Sequence, residues 1–180
     1  MKKILAVIDV QNDFITGKLA NPDADKAVPN IVKKIEEFEG DMIICTFDTH
    51  YDWNYAKSKE GRAIPEHCIW GSDGWKLDER VENAIKGNKH HPYVQEVIKN
   101  TFGSVKMPEY IDGFVHDEEF EIEFVGFCTD ICVVSNVLIT KASFPNRANI
   151  TVDSSCCAGL TPAKHEAALD VMRSCLIEVK

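Results

Sequence analysis

Two cysteines stand four positions apart in FVGFCTDICVVSNVL (residues 124–138), where one apolar run meets another. If the first run is a strand ending at Gly126, Thr129 is a natural helix N-cap and Cys132 falls in the first helical turn. There, unpaired backbone N–H groups and the helix dipole favour an anion, and a thiol in that setting can drop from about 8.5 to roughly 3.5–7.5. Cys132 is therefore the expected nucleophile, and Cys128, ahead of the cap, its neighbour. The pair lacks the spacing of a thiol redox motif, and no second pair lies nearby to complete a structural zinc site.

A second group of reactive types lies in TFDTHYDWNYAKSKEGRAIPEHCIWGSDGWKL (46–77). Asp48 and His50 flank a single residue just after an apolar run, so in an extended segment their side chains project the same way; His67 follows after a loop. Two histidines and a carboxylate suit a divalent ion with open positions, zinc, iron or manganese, and Glu60 offers a fourth ligand. Loop histidines beside ordinary surface acids are the alternative. Asp9 and Lys99 each close an apolar run, and in open α/β sheets ligands bind beyond the carboxyl ends of strands. For Asp9 the alternative is a turn-initiating residue, and for Lys99 a solvated lysine.

These residues need a scaffold, and the patterning specifies one. Strand-length apolar runs at 3–9, 41–47, 93–99, 120–126, 148–153 and 175–179 alternate with helical patterns at 25–38, 129–144 and 161–173. A short helix also fits near 78–86. That alternation predicts an α/β fold around a mainly parallel sheet. Residues 49–92, rich in Gly, Trp, His and charge, form a long irregular connection of the kind that carries function.

The chain has 180 residues, 44% of them apolar, enough for one domain over residues 1–180. Its net charge of −9 argues against nucleic acid or an anionic membrane as partner. Asp9 interrupts the first apolar run too early for a signal peptide or membrane span, which points to a cytoplasmic protein. The seven cysteines sit in apolar segments and read as reduced thiols; Cys156 and Cys157 read as small core residues at a tight turn. His90, His91, His116 and His165 read as surface or capping residues.

The ordered motifs AVIDVQNDF, FDTH, PEHCIWGSDGW, KNTFGS, GFCTDICV and VDSSCCAGLTPAKHEAAL resemble those of the isochorismatase-like cysteine hydrolases, the family that includes the nicotinamidases. The resemblance spans nearly the whole chain. It implies a doubly wound, Rossmann-like sheet of six strands in the order 3-2-1-4-5-6 and a catalytic triad at Asp9, Lys99 and Cys132. It implies a metal, zinc first, at Asp48, His50 and His67, with Glu60 at the spacing of some nicotinamidases. It also implies a cis peptide between Phe127 and Cys128, and an oxyanion hole from the N–H groups of Cys128 and Cys132. The implied reaction is hydrolysis of a small-molecule amide, nicotinamide above all, by a homodimer or homotetramer. Ile64 stands where nicotinamidases carry a ring-stacking aromatic, and the tyrosine that many carry after the lysine is missing; Phe14, Trp53 or Tyr55 could supply that wall. Another small amide or carbamoyl compound is the alternative substrate. Isochorismate comes behind it, because its chemistry does not call for the Asp48, His50 and His67 set. A thiol redox sensor or a silent binding protein are the alternatives outside catalysis.

Overall fold

The computed structural model describes residues 1–180. Six strands form one sheet: β1 (Lys2–Ile8), β2 (Met42–Asp48), β3 (Tyr93–Lys99), β4 (Phe120–Phe127), β5 (Ala148–Ala158) and β6 (Glu178–Val179). Their order is 3-2-1-4-5-6, as the resemblance implies, and every pairing is parallel, not merely most of them.

The central strands are continuously apolar because both of their faces are covered. Ile4, Ala6 and Ile8 of β1 pack on the face with Met107, Ile111, Val137 and Leu169. Those partners come from α5 (Met107–Val115), α6 (Val134–Ser143) and α7 (Pro162–Ser174). Leu5 and Val7 face the opposite way, against Ala24, Val28, Ile31, Val81 and Ala84, which belong to α2 (Pro22–Glu36) and α4 (Glu79–Gly87). Each large side chain so buried contributes roughly 1.5–3 kcal/mol. No helix is long and apolar enough to cross a membrane.

Several expected boundaries move. The helix expected at 25–38 is α2, beginning at Pro22, with Asn21 as its cap accepting from Asp23 N–H at 3.0 Å. β5 runs on to Ala158, so Cys156 and Cys157 are buried strand residues and not part of a tight turn. β6 shrinks to two residues, because Cys175–Ile177 complete the turn that closes α7. Three helices were not expected: α1 (Asn12–Ile15), α3 (Asp52–Tyr55) and α5. The first two are single turns too short to show periodicity. α5 contains Pro108 and Gly113, which break up its pattern.

Candidate active site

The carboxyl edge of the sheet brings Asp9, Lys99 and Cys132 together. Asp9 follows β1 with φ 48°, a left-handed conformation that costs a non-glycine residue about 1–2 kcal/mol. Its side chain is fully buried. Thr46, from β2, donates its hydroxyl to Asp9 Oδ1 at 2.6 Å. Lys99 ends β3, in register with Asp48 at the end of β2. Its side chain crosses β2 to put Nζ 2.6 Å from Asp9 Oδ2 and 3.6 Å from Asp48 Oδ1. Nζ also lies 3.6 Å from Cys132 Sγ. Asp9 Oδ2 is thus held by the Lys99 ammonium in a pocket closed to solvent.

The electrostatics correct one expectation. The Cys132 thiol is pushed well above its ordinary value, by burial first and the Asp9 carboxylate second, with Lys99 opposing. That burial opposes the lowering expected of a helix terminus. Burial likewise raises Asp9 against the attraction of Lys99, which makes Asp9 a stronger proton acceptor than a surface aspartate. Burial alone would lower Lys99, but the Asp9 carboxylate, with Asp48 beside it, holds it above its usual range, so it stays an ammonium.

The turn that holds Cys132 grows from the end of β4. Gly126 has φ 120°, and a Cβ there would lie 2.1 Å from Ile8 O; only glycine fits. The Phe127–Cys128 peptide is cis. The Cys128 N–H donates to no group of the chain. Residues Thr129–Val133 form a π-turn before α6 begins, so the helix expected at 129–144 has an irregular first segment. Thr129 is not the cap: that position is Cys128, and no side chain caps it. The Thr129 hydroxyl instead lies 2.8 Å from His165 Nδ1, which gives His165 a structural partner that its sequence setting did not suggest. Asp130 Oδ1 accepts from Leu160 N–H at 2.9 Å. Both bonds pin the turn to the start of α7.

Asp48, His50, Glu60 and His67 offer ligand atoms that all lie within 4.8 Å of one another. His50 Nε2 and His67 Nε2 lie 3.0 and 3.1 Å from Asp48 Oδ2. Glu60 Oε1 is 3.7 and 3.8 Å from the same two nitrogens. His67 Nδ1 lies 2.8 Å from Pro65 O, a contact that turns Nε2 inward, as ligating histidines require. Burial opposes ionisation of Asp48, yet His50, His67 and Lys99 hold its carboxyl below the usual range. Two imidazoles and two carboxylates converging on one point fit zinc, iron or manganese.

Sequence reasoning missed what holds these ligands. Gln11, fully buried, donates to Asp48 O at 2.9 Å and Trp75 O at 2.8 Å and accepts from Asp48 N–H at 2.8 Å. Asp13 accepts from Cys68 N–H at 2.7 Å and Lys18 N–H at 2.9 Å, fixing the backbone beside His67. The polar residues at 9, 11, 12 and 13 that follow the apolar run stand out, but they carry no period that would assign these partners.

The aromatic candidates separate. Phe14 meets His67 edge to face at 5.6 Å. Tyr55 is buried under the histidines, its ring 4.6 Å from that of His50 and its hydroxyl bound to the carbonyls of Ile64 and Pro65. Trp53 is exposed to solvent. Ile64 lines a cavity of about 400 Å³ with Glu60, Asn100 and Phe102. Phe102, a ring facing the same space as Ile64, was not singled out from the sequence.

Solved structures of this shape share the fold along its whole length. A nicotinamidase from Bacillus subtilis is 27% identical, with 99% of each chain covered and a TM-score of 0.83. A pyrazinamidase/nicotinamidase from Streptococcus mutans superposes at TM-score 0.84 with 22% identity over 99% of both chains. A pyrazinamidase from Pyrococcus horikoshii, solved in complex with zinc, reaches 0.78 with 22% identity over 100% of this chain and 99% of its own. At 22% the last two speak for the fold alone. No curated protein matches the chain by sequence. The isochorismatase domain covers residues 3–180, and the chain therefore belongs to the isochorismatase family.

Proposed function

We propose that this protein is a cysteine amidohydrolase that converts nicotinamide and water to nicotinate and ammonia. The observation that carries the reading is the buried convergence of Asp9, Lys99 and Cys132, with Lys99 Nζ 2.6 Å from Asp9 Oδ2 and 3.6 Å from Cys132 Sγ. Asp9 takes the thiol proton as the sulfur attacks the carboxamide carbon. Lys99 balances the charge that passes from carboxylate to thiolate. The N–H groups of Cys128 and Cys132 receive the oxyanion, and each such donor is typically worth ~2.7–4 kcal/mol of barrier. Asp9 then returns the proton to the leaving nitrogen, ammonia departs, and a thioester remains. A water molecule, deprotonated by the freed Asp9, attacks that thioester; nicotinate leaves, and the proton goes back to Cys132.

A divalent ion on Asp48, His50 and His67, with Glu60 as fourth ligand and zinc ahead of iron or manganese, would supply a Lewis-acidic anchor for a ring nitrogen. Phe14, Ile64 and Phe102 would bound the ring. The same reading takes residues 1–180 as one catalytic domain, working in the cytoplasm in pyridine-nucleotide salvage as a homodimer or homotetramer.

Ile64, where a stacking aromatic is expected, favours a second reading: the same machinery acting on another small amide or carbamoyl compound. An ammonia-release screen with nicotinamide, benzamide, pyrazinamide and carbamoyl amino acids separates the two. Nicotinamide is expected to be the best substrate, with benzamide, which lacks the ring nitrogen, far behind. Equal rates on those two amides by a metal-free protein would defeat the nicotinamidase reading, and turnover confined to carbamoyl compounds would establish the second.

A further inference from the structure

Asn136, in the first turn of α6, is 1% exposed, and its amide is fully engaged. Its Oδ1 accepts from Ser104 N–H at 3.0 Å. Its Nδ2 donates to Cys132 O at 2.8 Å and to Phe102 O at 3.3 Å. One buried amide therefore joins the nucleophile's own carbonyl to both ends of the Phe102–Ser104 segment. Gly103, between those ends, lies so close to α6 that a Cβ would meet Ile139 Cδ1 at 2.6 Å and Ser135 Cβ at 3.0 Å. Thr101 donates to Gly103 O at 2.7 Å, tightening the bend that carries Phe102. The ring of Phe102 stays 43% exposed, at the cavity it shares with Ile64 and Glu60. Buried in this way, the amide has no competing partner, so its three bonds act as a rigid spacer.

We infer that Asn136 is a positioning residue that fixes the separation between Cys132 and the aromatic wall Phe102, and so makes the enzyme prefer planar ring amides to small aliphatic ones. This rests on the amidase reading above. Asn136→Leu keeps the volume and removes all three bonds. Asn136→Asp keeps the acceptor for Ser104 but sets a carboxylate against two carbonyl oxygens.

The test has an arm that needs no turnover. By NMR hydrogen exchange, the Ser104 amide is expected to exchange roughly tenfold faster or more in Asn136→Leu, with β1 amides unchanged. In kinetics, KM for nicotinamide should rise about tenfold, while kcat/KM for acetamide moves less than about threefold. Adding Asn136→Leu to Phe102→Ala should cost little more than Phe102→Ala alone, because both remove one wall. Unchanged Ser104 exchange, equal kcat losses on both amides, or multiplying losses in the double variant would each overturn the proposal. If Asn136→Leu does not fold, Asn136→Asp is read by the kinetic criteria alone, since it keeps the acceptor for Ser104. Nicotinamide turnover by the unaltered protein bears on the amidase reading alone; the Ser104 exchange rate bears on Asn136 whether or not any amide is consumed.

Discussion

The two halves of the site are held by different means. Asp9, Lys99 and Cys132 hang from strand ends and a turn whose spacing is fixed by the backbone register of β1, β2, β3 and β4. Of the ligand set, only Asp48 belongs to a strand; His50, Glu60 and His67 lie in the irregular segment after β2. That arm is fastened by side chains reaching out of a single turn, with Gln11 on Asp48 and Asp13 beside His67. The trio should therefore behave as one rigid unit, and the ligand arm as a separable attachment.

The largest effect tests the trio. Cys132→Ala should lower turnover by on the order of 10⁴-fold or more, while Cys128→Ala, which keeps the backbone N–H, should stay within about tenfold. A dead Cys128→Ala beside an active Cys132→Ala would reverse the roles, and mass spectrometry of a trapped thioester locates the acyl group directly.

Next comes the unity of the trio. Asp9→Asn should cost roughly 10³-fold, and adding it to Cys132→Ala should cost almost nothing further, because the base has no other task. Multiplying losses would show that Asp9 works elsewhere.

A smaller loss should mark the ligand arm. His50→Ala should slow nicotinamide hydrolysis about 10²-fold through lost positioning and erase the preference over benzamide. Iodoacetamide labelling of Cys132 should proceed at its original rate in that variant. A labelling rate that falls with the ligand would mean that the two halves are not separable.

The smallest effect addresses the fastening. Gln11→Leu should weaken metal binding by about 10–100-fold, read by competition with a chelator, with a modest change in metal-saturated turnover. Unaltered affinity would transfer the task of holding Asp48 to the strand alone.

The legible parts of the protein follow the same division. Strand-end residues were readable because buried parallel strands announce themselves as apolar runs, and whatever polar residue closes a run stands at the carboxyl edge. Asp48, His50 and His67 were readable as ligand types at a suggestive spacing. Gln11, Asp13 and Asn136 were not, since a buried amide or carboxylate whose partners are backbone atoms far along the chain leaves no periodic trace. The upward push on the Cys132 thiol was hidden for a related reason: a helix terminus is visible in sequence, but the depth of burial that opposes it is not. Phe102 was passed over because its loop acquires a shape only from α6, which folds against it.

The closeness of Gly126 to Ile8 O has a bearing on how such an enzyme can diverge. The strands leading to Asp9 and to the turn that holds Cys132 approach to main-chain contact at that point, so no side chain mediates their spacing. On the proposed reading, room to vary the substrate then lies in the segment from His50 to Leu77 and the bend around Phe102, which touch neither strand at that contact.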